Sequence, residues 1–485
     1  MNKINLLLIG FGPHAKRIYY PFCRQKEKLL GFKLAYGVDL LNKKEEIEDY
    51  LKRKGDCLPM YYVTDNNKKS NILERDVMNS LNKIVDDYSI RGVIISTEPL
   101  SHVKYAAWAL SKGLHILMDK PISACVGASV SETAALKINK DFKYLKKIYK
   151  KSKAKYGRVI FNLMAQRRYH PAFIKIRNLI REVFKKTNSP ITSIQSFHSD
   201  GQWRLPSEII DINYHSYNDG FGKCSHSGYH SLDIMPWLIE TAESKSKHIN
   251  NVDIYSSFLR PNDFISQINL NDYKKIFHHF LKRNKYNEKT FRVITKKYGE
   301  LDAFSQFSFK HNNDIITLGS LNLVHNGFSQ RGWLEAKKDL YKGNGRVRHE
   351  THFIEQGPFQ AISFISYQSE EINPKNKTRI YDVGGEYHLD VHVFRNASLF
   401  PEWKRYTKFG TEDLNVSVTK EYSRGHQEDA RREAIIEYIN LIKGKIKIST
   451  SDFISHERGT KLLSGVYMSA TKKFIGKNPV VNVKF

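Results

Sequence analysis

Short apolar runs alternate with amphipathic stretches through the first third of the chain. Ile4 to Ile9 (INLLLI), Phe32 to Val38, Val93 to Ile95 and His115 to Met118 read as buried strands. Between the last two, Ser101 to Lys112 puts Val103, Ala106, Ala107 and Leu110 on one face and closes at Gly113, the pattern of a helix. Strands alternating with helices at this spacing predict a doubly wound parallel sheet, which gathers ligands at the carboxyl ends of its strands. From about residue 159 the pattern changes. Val159 to Ala165 is the last run of the first kind, and Pro171 to Phe184 reads as a helix. Longer strands follow at Leu301 to Lys310, Ile315 to Val324 and Gln360 to Gln368, with little helical spacing between them. They predict an α+β region with a large, mostly antiparallel, open-faced sheet and flanking helices. Two amphipathic helices, Ala430 to Ile442 and Leu462 to Phe474, end before Gly444 and Gly476.

The run INLLLI leads into Gly10-Phe11-Gly12-Pro13-His14-Ala15. A dinucleotide pyrophosphate needs this order of strand, glycine turn and helix: Gly10 permits the turn, Gly12 lets backbone approach phosphate, and Ala15 lets helix and strand pack closely. Phe32 to Val38 then ends at Asp39, where a carboxylate binds ribose hydroxyls and favours NAD; the neighbouring Lys43 and Lys44 would instead welcome the extra phosphate of NADP. Ser96-Thr97-Glu98-Pro99 and Asp119-Lys120-Pro121 stand at the ends of two further strands.

Five segments in order carry a resemblance to the Gfo/Idh/MocA family of oxidoreductases, the relatives of glucose-fructose oxidoreductase and inositol dehydrogenase. GFGPHA resembles the family's GxGxxG/A turn, STEPLSH its TPNxxH stretch, and GLHILMDKP its GKHVLxEKP. QRRYHPAF resembles its arginine-containing segment, and GFGKCSHSGYHSLD, residues 220 to 233, its GGxxxDxGxHxxD. The resemblance implies an N-terminal Rossmann domain, residues 1–165, binding NAD or NADP. It also implies a substrate and oligomerisation domain, residues 166–485, with 261–298 a basic helical insertion. The cofactor-binding positions it implies are Gly10, Phe11, Gly12, Asp39, Ser96, Thr97, Pro99, His102, Asp119 and Lys120. Two positions depart from the family: Asp119 replaces its Glu, and His226 its Asp.

Such a family moves hydride between nicotinamide and a sugar, sugar derivative or cyclitol, so a side chain must exchange the hydroxyl proton. The resemblance assigns this to Lys120 and His230, with His226 orienting His230 or the substrate. If 226 to 236 begin a helix, the two histidines share a face. Metal binding by this HxxxH pair has no supporting Cys or carboxylate cluster, and the pair is also readable as structural histidines. His349-Glu350-Thr351-His352 lacks HExxH spacing. Arg167 and Arg168 read equally as functional residues or as a domain-interface salt bridge. Two other activities stay open: a catalytically silent NAD(P)-binding sensor or partner subunit, and an NAD-dependent glycosidase.

Composition adds limits. The 485 residues are 40% hydrophobic and 26% charged, ordinary values for a folded protein. The net charge of +28 at first suggests nucleic acid or anionic lipid. Much of it is local: residues 137–158 hold ten Lys or Arg against one Asp, and 271–298 hold nine against two acids. Phe142, Leu145 and Ile148 in the first run, and Tyr273, Ile276 and Phe280 in the second, recur at helical spacing, so the lysines occupy wet faces. The expected partners are a carbohydrate-like small molecule and, through the open sheet face, a second copy of the chain; no nucleic-acid motif is present. Cys23, Cys57, Cys125 and Cys224 are far apart, and no apolar run is long enough for export or membrane spanning, so a cytoplasmic setting is expected.

Overall fold

The computed structural model describes residues 4–64, 72–335, 345–369, 380–414 and 426–485. The chain forms two compact units. The first comprises residues 1–124, 139–169 and 427–457. Its strands are β1 (Ile4–Ile9), β2 (Phe32–Leu40), β3 (Met60–Val63), β4 (Ile90–Ile95), β5 (His115–Met118) and β6 (Phe161–Leu163), all parallel, in the order β3-β2-β1-β4-β5-β6. This is the expected Rossmann sheet, and its order reverses between β1 and β4, where such sheets bind ligands.

Apolar residues on both faces of the strands explain why both faces are covered. Leu7 and Ile9 point to a core shared with Val103, Ala106 and Phe142; Leu6 and Leu8 point to another shared with Ala434, Ile435 and Tyr438. The second core is completed by the helix His426–Ile442, far along the chain. The units therefore interleave, whereas the sequence reading divides the chain once at 165/166. The physical reason is the apolar stripe Ala430, Ala434, Ile435, Tyr438 and Ile439, which is buried against that sheet.

The second unit comprises residues 125–138, 170–426 and 458–485. Its strands are β7 (Ser193–Ser199), β8 (Asn251–Leu259), β9 (Asp302–His311), β10 (Asp314–Val324), β11 (Val347–Gln356), β12 (Gln360–Ser369), β13 (Asp390–Arg395), β14 (Tyr406–Gly410) and β15 (Val481–Lys484). They form one sheet, ordered β14-β13-β12-β11-β7-β10-β9-β8-β15, antiparallel except where β10 pairs with β7. Residues alternate between buried and accessible, and the register aligns Phe304, Leu318, Phe353 and Phe394 on one face with substantial exposure.

Three sequence expectations change in detail. The basic stretch 271–298 forms three short helices, Leu270–Ile276, Phe280–Arg283 and Glu288–Ile294, instead of one. A left-handed His279 (φ 64°) separates the first two; Tyr273, Phe277 and Phe280, spaced four and then three residues apart, are buried while Ile276 is 52% exposed. The helix expected from residue 226 begins at Tyr229, because Gly228 N–H closes a tight turn on Lys223 O at 2.9 Å. His226 thus belongs to that turn and His230 to the helix. Among the described residues, no helix is long and apolar enough to cross a membrane.

Candidate functional site

In the first unit, β1 runs into Gly10, whose φ of 91° suits glycine and whose Cβ, if present, would lie 2.5 Å from Ser96 O. A Cβ on Gly12 would meet nothing within 4 Å, so the turn is open at that residue. Asp39 closes the turn from β2, its carboxylate accepting the Phe11 N–H and, at 2.6 Å, the Leu40 N–H. Burial raises the Asp39 carboxyl above its ordinary value against those bonds. The Phe11 ring packs edge-on to Tyr20 and Tyr50, so only its backbone belongs to the turn. An accessible glycine turn beside a second-strand carboxylate fits a dinucleotide.

Asp119, just beyond β5, gathers three donors: Tyr19 Oη at 2.5 Å, Ser96 Oγ at 2.9 Å and His14 Nδ1 at 3.0 Å. Burial opposes its ionisation, but the His14 ring and the Tyr19 hydroxyl outweigh it and hold the carboxyl well below the usual range. Burial also keeps His14 neutral, so its Nδ1–H donates to Asp119 while Nε2 is buried without a partner. Lys120 follows, joined to Pro121 by a cis peptide. His102 places Nδ1 2.7 Å from Pro121 O and Nε2 3.1 Å from Thr97 O, tying the two strand ends together. Pro99 opens the helix Pro99–Ser111. The ten cofactor-binding positions expected from sequence therefore cluster at the carboxyl ends of β1, β2, β4 and β5. His14 and Tyr19 were missed; His14 lies inside the GFGPHA motif, where spacing rules treat it as a free position.

In the second unit, the turn carrying His226 is fixed by Glu300. This fully buried carboxylate accepts from Ser129 Oγ at 2.6 Å, Tyr467 Oη at 2.8 Å and Cys224 N–H at 2.8 Å, while burial raises its pKa against them. Gly222 is required there, since a Cβ would lie 2.0 Å from Glu300 O. His226 is buried among the rings of His215, Tyr217 and Phe221, with centroids at 4.7, 5.7 and 5.8 Å. His230 is buried in the first turn of the helix Tyr229–Ile239.

A polar knot adjoins this turn. Lys223, fully buried, donates to Asp200 and lies 3.0 Å from His198 Nδ1. Asp200 also accepts from Arg346 Nη2 at 2.9 Å and Ser227 Oγ at 2.9 Å. Burial opposes the Asp200 charge, yet Lys223, His198 and Arg346 hold it well below the usual carboxylate range. Lys223 itself is drawn down by burial. The only sequence signal for this knot was a lysine inside the glycine-rich GFGKCSH segment. Arg168, one of the two arginines singled out in sequence, bonds Ser455 Oγ at 2.6 Å within the first unit. Among the described residues, no group of His, Cys, Asp and Glu is placed to hold a metal ion.

Fold and glycine turn together define a Rossmann-type nucleotide-binding unit accompanied by a mixed-sheet α+β unit. Residues 50–141 match the model of the oxidoreductase family with an NAD-binding Rossmann fold, GFO_IDH_MocA, and over that stretch the resemblance read from the motifs holds. Solved structures of similar fold include an oxidoreductase from Agrobacterium radiobacter in complex with NAD+, L-tartaric acid and magnesium: 12% identity, 99% of this chain and 98% of that one, TM-score 0.57. Levoglucosan dehydrogenase with NADH and levoglucosan is 13% identical over 99% of both chains, TM-score 0.56. Aldose-aldose oxidoreductase from Caulobacter crescentus, complexed with glycerol, is 11% identical over 100% of both, TM-score 0.55. Identities this low carry the fold alone. No curated protein matches the sequence significantly.

Proposed function

We propose that the protein is an NAD-dependent oxidoreductase that transfers hydride between nicotinamide and a hydroxyl-bearing carbon of a sugar, sugar derivative or cyclitol. The observation that carries this reading is the grouping of an open glycine turn, Asp39 and the Asp119-Lys120 strand end in one parallel sheet. Bound there, nicotinamide supplies or accepts the hydride. Gly10 to Gly12 hold the phosphates and Asp39 the ribose hydroxyls. Lys43 and Lys44 lie near acids of their own helix, Glu46 at 3.4 Å and Glu48 at 3.9 Å, which supports NAD over NADP. Ionised Asp119, anchored by His14, Tyr19 and Ser96, positions Lys120, whose Nζ exchanges the hydroxyl proton. His230 and His226 are assigned to the substrate's hydroxyls.

The test is Lys120→Ala with a carbohydrate panel followed by NADH absorbance. NADH binding, read by fluorescence, is expected to persist while turnover falls by about 10²-fold or more. Undiminished turnover overturns the role of Lys120. A second reading, a cofactor-binding sensor without turnover, is favoured by one observation: His226, at the position of the family's Asp, sits among aromatic rings. It predicts NADH binding with no substrate in the panel.

We further propose that a second copy of the chain covers the face bearing Phe304, Leu318, Phe353 and Phe394. Phe353→Glu is expected to yield monomers in light scattering; a wild-type monomer overturns this.

A further inference from the structure

Close to His226, the second unit buries a cation that no acid among the described residues pairs with. Arg204 is 4% exposed. Its guanidinium donates to His215 O at 3.1 Å and Tyr214 O at 2.7 Å, and lies 5.4 Å from the centroid of the Tyr217 ring. These bonds engage two of the five N–H groups of an arginine, and among the described residues no carboxylate is within ion-pairing distance. Three other buried cations of this unit are paired: Lys223 and Arg346 share Asp200, and Arg331 grips Glu208 at 2.6 and 2.8 Å, while Arg260, like Arg204, donates to a backbone carbonyl. Buried charges are ordinarily paired, because leaving water without a counter-charge is expensive.

A second, independent observation points the same way. His325 is 3% exposed, and its Nδ1 lies 2.9 Å from the Tyr217 hydroxyl. Its Nε2 is buried without a partner. Burial, aided by Arg204, Lys223 and His226, keeps the ring neutral. With the hydroxyl donating to Nδ1, the proton resides on Nε2 and lacks an acceptor. Next to it, Asn326 accepts the Arg204 N–H through Oδ1 at 3.1 Å, and its Nδ2 is a further buried donor without a partner. The unanswered groups around Tyr217 are thus a guanidinium and two neutral donors, and the Asp200 carboxylate, 4.0 Å from His325 Nδ1, is already held by Lys223 and Arg346. An acceptor-rich anion satisfies all three kinds of need, and a neutral hydroxyl does not neutralise the charge.

We propose that Arg204 and His325 form a subsite for an anionic group, so that the substrate is an acidic carbohydrate, its anion paired with the guanidinium and hydrogen-bonded by Nε2. This deepens the oxidoreductase reading and rests on it for the chemistry at the hydroxyl. Carboxylate and phosphate share the required chemistry, so the probes include both.

The test is calorimetric binding to the full-length protein with NADH present. Probes are the hexuronates, hexonates and hexose 6-phosphates of the gluco, galacto and manno series, each against its neutral hexose. At least one acid is expected to bind about tenfold or more tightly than its neutral counterpart. Arg204→Gln is expected to remove that margin and Arg204→Lys to keep part of it. A preference confined to the phosphates supports the subsite and assigns its anion. Neutral sugars binding as tightly as every acid, or a margin that survives Arg204→Gln, overturns the proposal; if Arg204→Gln does not fold, the wild-type margin decides. Turnover of neutral sugars without an acid margin overturns the subsite and leaves the oxidoreductase. An acid margin with no reduction of NAD+ by any probe overturns the oxidoreductase and leaves the subsite.

Discussion

Asp119 and Asp200 are the same side chain in the same kind of place, just beyond a central strand and buried, and both are held ionised. The company differs. Asp119 is held by a phenol, an alcohol and a neutral imidazole. Asp200 is held by an ammonium and a guanidinium. The same carboxylate is thus stabilised by neutral donors in one unit and by cations in the other.

Removing the carboxylates separates the two cases most strongly. Asp200→Asn removes the carboxylate that Lys223 and Arg346 share, and the expected loss is about 3–5 kcal/mol in urea unfolding. Asp119→Asn leaves only neutral donors, and the expected loss is smaller, about 1–3 kcal/mol. A loss for Asp119→Asn equal to or above that for Asp200→Asn breaks the comparison.

Acid sharpens it with a smaller effect. Both folded-state pKa values are depressed, so the stability each carboxylate adds is fully present above the unfolded value of about 3.9 and is lost as pH falls toward the folded value. Melting temperature is therefore expected to drop below about pH 4 in the wild type and to drop less steeply in Asp200→Asn. An equal slope in both excludes Asp200 as a contributor.

The parallel strands were legible because burial on both faces makes them nearly continuous apolar runs: INLLLI and HILM appear in the structure with the boundaries read from sequence. The glycine turn and Asp39 were legible because their spacing follows from strand length. The Asp200 knot was not, since Lys223 and Arg346 reach it from 23 and 146 residues away and no period links them. Ile276 was misplaced because the buried stripe runs through Tyr273, Phe277 and Phe280, at i, i+4 and i+7, which leaves the i+3 position on the exposed side. Tyr19 escaped because its ring reads as core while its hydroxyl serves Asp119.

The helix His426–Ile442 has a consequence for the order in which the protein is made. The first unit's sheet is synthesised by residue 163, but Ala434, Ile435, Tyr438 and Ile439, which cover one side of it, emerge only after some 270 further residues. At roughly 5–20 residues per second, Leu6, Leu8, Phe32 and Ile94 wait about 14–54 s on the ribosome for their cover. During that interval the nascent chain presents an open apolar surface, and it is there that a chaperone, or a premature stop codon, has its greatest influence on the yield of folded protein.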